Sequence, residues 1–198
     1  MVSLKIGKGK KRLSKLFSAF TRAESAFELT SERLRVLRLL RRLRAKWLLG
    51  KARRLFEKYL EANAEITPLV LNIGARIYFH SSDYISAIKY AKQILERDIG
   101  PDQRALALAI LAECHEMIGN AKRPEDAFKL IFGDLYHKLE PINQIRVLRS
   151  RAGFEGRRRN LEKAQKDIAR ARKIATERKF VEELLKLKAL EIALFVKQ

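Results

Sequence analysis

The residues best equipped for chemistry in this chain are few, and their spacing argues against most of the chemistry they suggest. Cys114 and His115 stand between Glu113 and Glu116, four side chains of the kind that hold metal ions. Adjacent residues on a helix point about 100° apart. Helical ligands to one ion need separations of three or four, and no second Cys or His pair completes a set. Cys114 is therefore read as a small packing residue, and no metal site is expected. His80 and His137 have no recognisable nucleophile or carboxylate beside them. Gly7-Lys8-Gly9-Lys10-Lys11 lacks both the glycine interval and the closing Ser or Thr of a phosphate loop. No catalytic residue and no cofactor is expected.

What the chain has in quantity is positive charge, with 43 Lys and Arg against 23 Asp and Glu for a net +20. The first 60 residues carry 18 basic and 4 acidic side chains, residues 61 to 145 carry 9 and 12, and residues 146 to 198 carry 16 and 7. Two basic ends thus flank a mildly acidic middle, and such a field attracts polyanions in a salt-dependent way. Three groups are candidates for gripping a polyanion. Lys8, Lys10, Lys11 and Arg12 lie in a glycine-containing arm, Arg35, Arg38 and Arg42 share one side of an expected helix, and Arg157, Arg158 and Arg159 fall in an expected turn. Arginines at such spacing can bridge successive phosphates, and the competing reading is solvated faces with local ion pairs. Few aromatics are interleaved with them, so contact with a phosphate backbone or an acidic protein fits better than base recognition.

These side chains must be carried by helices. Leu, Ala, Ile, Arg, Lys and Glu dominate a sequence with only 4 Pro and 9 Gly, a mixture of helix formers with few breakers. The spacing predicts a mobile arm over 1–13 and an amphipathic latch helix over 14–31, with Leu16, Phe17, Phe20, Ala23 and Phe27 on one side. A helical domain should fill 32–198. Its helices are expected at about 32–49, 52–62, 68–80, 84–97, 102–118, 124–132, 140–154, 160–177 and 179–197. Gly50, Gly100-Pro101, Gly119-Asn120, Gly133-Asp134 and Gly156 are read as the joints. The single Cys114 rules out an intramolecular disulfide, which suits a reducing compartment, and the cytoplasm is the expected location. Neither a secretion signal nor a membrane span is expected.

Small residues recur where paired helices must touch: Ala75, Ala87 and Ala91, then Ala112 and Ala127, then Ala152, Ala164 and Ala171. The interval of roughly 34 to 40 residues is that of a helical array. The pattern resembles tetratricopeptide repeats. The best match covers 67–100, with Ala75 and Ala87 at small positions, Tyr78 and Tyr84 at aromatic ones, and Ile94-Leu95 before Pro101. Residues 145–178 match next best, 104–137 match with an insertion near Ala121 to Arg123, and 33–66 match through Ala52 and Phe56. The stretch from Ala52 to Glu61 is similar to the second helix of half-a-TPR repeats. The resemblance implies an all-α, right-handed α-solenoid of three to four helical hairpins with an N-terminal helix and a C-terminal capping helix.

In that family ligand peptides lie along the face made by the first helix of each hairpin. Carried over, that face includes Asn72, Arg76, His80, Glu113, Glu116, Arg146 and Arg149. Asn72 and Arg76 are one turn apart and can hold a carboxylate between them. The function expected is therefore that of a non-enzymatic adaptor or scaffold in a larger assembly. It would bind another protein, as a peptide or helix of acidic character, in this face and an acidic surface through its basic ends. The alternative is a factor that grips RNA or DNA backbone through its arm and Arg-rich helix. Membrane attachment is disfavoured, and self-association through the apolar last helix, with Leu184, Leu185, Leu190, Leu194 and Phe195, is left open.

Overall fold

The computed structural model describes residues 18, 35–62, 66–120 and 122–195. The basic arm with Lys8, Lys10, Lys11 and Arg12 lies outside the described residues. So do the latch helix, Ser18 apart, and the side chains of Arg35, Arg38 and Arg42. The described chain is all-helical and contains no strand. Eight α-helices follow one another: α1 (Arg35–Ala62), α2 (Pro68–His80), α3 (Tyr84–Leu95), α4 (Pro101–Met117), α5 (Lys122–Leu130), α6 (Pro141–Arg157), α7 (Leu161–Glu177) and α8 (Val181–Phe195). No helix among the described residues is long and apolar enough to cross a membrane.

The helix starts follow from local chemistry. Proline at the first position loses no hydrogen bond there and presets the backbone, and it opens α2, α4 and α6. Thr67 caps α2 by accepting from the Val70 amide, and Asp83 caps α3 by accepting from the Ser86 amide at 3.1 Å. The helix ends repeat one device. Residues Ser82, Gly119, Arg159 and Lys179 have φ of 61°, 82°, 63° and 57°. After each, the next amide reaches back to a carbonyl of the last helical turn: Asp83 to Tyr78, Asn120 to His115, Asn160 to Glu155 and Phe180 to Ala175, all at 2.8 to 2.9 Å. This left-handed closure satisfies carbonyls that the helix end would otherwise strand.

Packing is strictly local along the chain. α1 packs on α2, α2 on α3, α3 on α4, α4 on α5, α6 on α7 and α7 on α8, and α2, α4, α6 and α8 also touch in turn, forming one row opposite α3, α5 and α7. Phe56 of α1 lies edge-on to Tyr78 of α2 and Tyr90 of α3, with ring centroids 6.1 and 5.3 Å away. That cluster fills one core at the α1–α4 end. A second core, with Phe128, Ile131, Tyr136, Leu148 and Phe154, fills the α4–α8 end.

Several expected joints are corrected. No turn forms at Gly50: α1 runs through it unbroken, so Arg35–Ala62 is one helix and no hairpin joint falls within it. Strong helix formers on both sides outweigh the penalty of about 1 kcal/mol for one interior glycine. Gly50 is exposed, with nothing within 4 Å of where a Cβ would stand. Gly50→Ala is therefore expected to raise stability by about 1 kcal/mol, read as a higher midpoint in urea. Gly133-Asp134 does not break the chain either but sits in a π-helical stretch, Ile131–Leu135, followed by a 3-10 turn, Tyr136–Lys138. Gly156 lies inside α6, where Leu194 of α8 packs against it too closely for any Cβ.

Candidate functional site

The row of α2, α4, α6 and α8 lines a continuous groove made of two adjoining hollows of about 340 and 430 Å³. Asn72, Arg76, Leu106, Arg146 and Lys186 border both hollows. Along α2, Asn72, Arg76 and His80 succeed one another at four-residue steps, one helical turn each, and so share the face that looks into the groove. Glu113 of α4 and Arg146 and Arg149 of α6 join them there. Leu106, Ala109, Ile110 and Leu190 supply apolar wall between the charges. Six of the seven residues carried over from the repeat resemblance therefore line one hollow. The seventh, Glu116, is instead bonded to Arg157, whose Nε donates to it at 2.8 Å.

Neighbours hold the charged groups in place. Asp102, at the start of α4, accepts from the Glu140 amide at 3.0 Å and from Asn143 Nδ2 at 2.9 Å. The Asn143 carbonyl oxygen in turn accepts from Arg146 at 3.3 Å, so the first turns of α4 and α6 together aim one groove cation. Ser150 donates to Glu113 at 2.5 Å. Arg149 lies 3.2 Å from Glu183, which is only 3% exposed, and Lys186 bridges Glu182 at 2.9 Å and Glu183 at 3.4 Å. Lys186 and its two glutamates come from α8 and were not foreseen from sequence. Nothing in a Glu-Glu-Leu-Leu-Lys run marks it as facing a groove built by helices 40 to 110 residues earlier.

The electrostatic balance of the groove is positive. Arg76 is half-buried on the wall shared by the two hollows. Burial, then repulsion from Arg146 and Arg149, brings its pKa down to about 10, with Glu113 and Glu183 pulling the other way. Arg76, Arg146, Arg149, Arg157 and Lys186 border the two hollows together with three carboxylates, Glu113, Glu182 and Glu183. An anion entering between α2 and α6 would add attraction at a site screened from solvent, where charge-assisted hydrogen bonds are strongest.

The expected polyanion turn is rearranged. Arg157 ends α6 and makes paired hydrogen bonds to Glu116. Burial works against its charge, but hydrogen bonding and attraction to Glu116, with Glu113 adding, hold its pKa above the usual value. Arg158 pairs with Glu125 and lies over the Phe154 ring at 5.2 Å. Only Arg159 of the three stands exposed without such an ion pair, at the left-handed position of the α6–α7 joint. The partners Glu116 and Glu125 are 41 and 33 residues away in sequence, too far for any local pattern to reveal them.

The residues that suggested catalysis are built into the core or stand apart. Cys114 is fully buried, and burial, with Glu113 adding, pushes its thiol up to about 12. His115 is 7% exposed, its Nε2 is 3.4 Å from the Arg123 guanidinium, and burial with Arg123 and Lys92 lowers its pKa. His137 is on the surface, and no group of three or more His, Cys, Asp or Glu suited to a metal occurs among the described residues. Comparison with protein-family models and with curated proteins finds no match to this chain.

Proposed function

We propose that this chain is a non-enzymatic interaction module, a right-handed solenoid similar to tetratricopeptide arrays, that serves as an adaptor or scaffold in a cytoplasmic assembly. Its groove takes an acidic peptide or helix of another protein. The observation that carries this reading is the convergence of Arg76, Arg146 and Arg149 from two helices on one partly apolar groove in which cationic side chains outnumber carboxylates. Apolar wall supplies contact area, and fixed cations supply register and charge selection. The three closures at Ser82, Gly119 and Arg159, each turning a groove helix into an outer one, support the repeat reading. The basic ends would meet an acidic surface of the same assembly.

Arg146 is the residue to test, because it reaches into both hollows and makes no ion pair that holds the fold. With a fluorescent glutamate-rich peptide as probe, Arg146→Glu is expected to weaken binding about tenfold or more, the scale of one misplaced charge in a desolvated contact. Unfolding measured in parallel should change little. Equal affinity of the variant and the parent chain would remove the groove from consideration.

A further inference from the structure

We propose a second binding surface on the far side of the molecule, in which the exposed ridge of α7 grips the phosphodiester backbone of nucleic acid without reading its sequence. Lys163, Lys166, Arg170 and Lys173 succeed one another at steps of three, four and three, which places them within one quarter of the helix circumference. At a rise of about 1.5 Å per residue the ridge is about 15 Å long with a cation about every 5 Å. Each strand of a duplex carries one phosphate per about 3.4 Å of axis, a charge spacing on the same scale as that of the ridge. Arg159, exposed at the joint just before α7, extends it.

The carboxylates near the ridge leave its charge largely uncompensated. Asp167, the acid in the middle of α7, points inward and is consumed by Arg151 at 2.6 and 2.7 Å. Glu162 and Glu177 sit at the two ends of the helix. Lys166 does touch Glu162 at 2.6 Å, and Lys163 lies 3.9 Å from Glu155, but both lysines are more than two thirds exposed. Exposed pairs of this kind contribute well under about 1 kcal/mol and yield readily to a competing anion. Arg170 is steered by an aromatic ring, its guanidinium lying 5.1 Å from Tyr136. The other helices of the same layer lack such a ridge: on α5, Lys122, Arg123 and Lys129 alternate with Glu125 and Asp126, and on α3 the exposed face includes Ile85.

The chemistry of the ridge selects among polyanions. Beside the row of cations the exposed residues are Gln165, Ala169 and Thr176, with no large apolar side chain to enter a lipid surface. No exposed aromatic side chain lies on α7 to anchor an acidic protein. A regular row of cations on a convex helix face matches a ligand whose charge is equally regular, which is the backbone of RNA or DNA.

The test uses the full chain, short mixed-sequence RNA and DNA duplexes, and a glutamate-rich peptide, each titrated between about 50 and 200 mM salt. The variant carries Lys163→Gln, Lys166→Gln, Arg170→Gln and Lys173→Gln. A control removes the same charge from scattered exposed sites through Lys58→Gln, Lys89→Gln, Lys129→Gln and Lys188→Gln. For four phosphate contacts the slope of log affinity against log salt should flatten by about 3 to 4, and duplex affinity near 0.1 M salt should fall about a hundredfold or more. The control and Arg146→Glu should leave both nearly unchanged, which separates this surface from the groove. RNA and DNA arms that respond alike support backbone recognition, and one responding alone identifies which nucleic acid is the ligand. Equal losses in variant and control, no duplex binding by the parent chain, or loss of peptide binding alone would each overturn the proposal.

Discussion

Phe56→Ala is expected to cost about 4 kcal/mol of stability, the largest effect of any single change in the α1–α4 core. The ring is fully buried, and its edge meets two tyrosines that also stack on each other with centroids 5.3 Å apart. Its tip rests on Gly74 of α2: a Cβ there would stand 2.2 Å from Cζ and 2.7 to 2.8 Å from both Cε atoms. Gly74→Ala would gain about 1 kcal/mol of helix propensity and lose about 3 to overpacking, since the enclosed ring cannot withdraw. The net loss is about 2 kcal/mol. In the double variant the new methyl enters space the ring has vacated, the overpacking disappears, and the combined loss should fall short of the sum of the single losses by about 3 kcal/mol. Urea unfolding of the four proteins measures the cycle. Additive losses would show that the ring and the glycine are not in contact.

Asp167→Asn is expected to cost about 3 kcal/mol. The carboxylate is 4% exposed and receives two hydrogen bonds from Arg151, whose guanidinium also lies 3.3 Å from the centre of the Phe132 ring. The amide can accept only one of the two hydrogen bonds and turns an NH2 donor toward the other, so the guanidinium loses an acceptor and its counter-charge. Replacing both partners with apolar residues of similar size removes the stranded charge, so Arg151→Met with Asp167→Leu should recover most of the loss. Calorimetric melting of the three proteins decides the matter. A double variant no better than Asp167→Asn would mean that the loss comes from packing and not from charge.

Helix positions were legible because their signals are local. Pro68, Asp83 and Pro101 mark starts that the backbone obeys, and the small residues Ala75, Ala87, Ala152, Ala164 and Ala171 are all fully buried at helix contacts. Gly50 and Gly156 misled for opposite reasons. One is a glycine that costs too little to stop a helix, and the other is a glycine demanded by a leucine 38 residues later. The groove residues of α2, α4 and α6 could be named only by carrying over the ligand face of the repeats that the chain resembles; helix geometry adds that residues one turn apart, such as Asn72, Arg76 and His80, share a face. Which cations would be neutralised could not be read in the same way. Arg157 and Arg158 find their carboxylates on the preceding helix pair, Arg149 finds Glu183 on α8, the next helix but one, and those pairings depend on how successive pairs stack.

Because each helix touches chiefly its successor and its next-but-one neighbour, the contacts that stabilise any segment lie close to it in sequence. Closing such contacts demands little chain entropy, so the molecule should assemble quickly and can begin at more than one place. The same locality shapes its response to load. Tension applied between α1 and α8 would run through the stack in series, and the helices would peel from one end in steps while those beyond the break kept their partners.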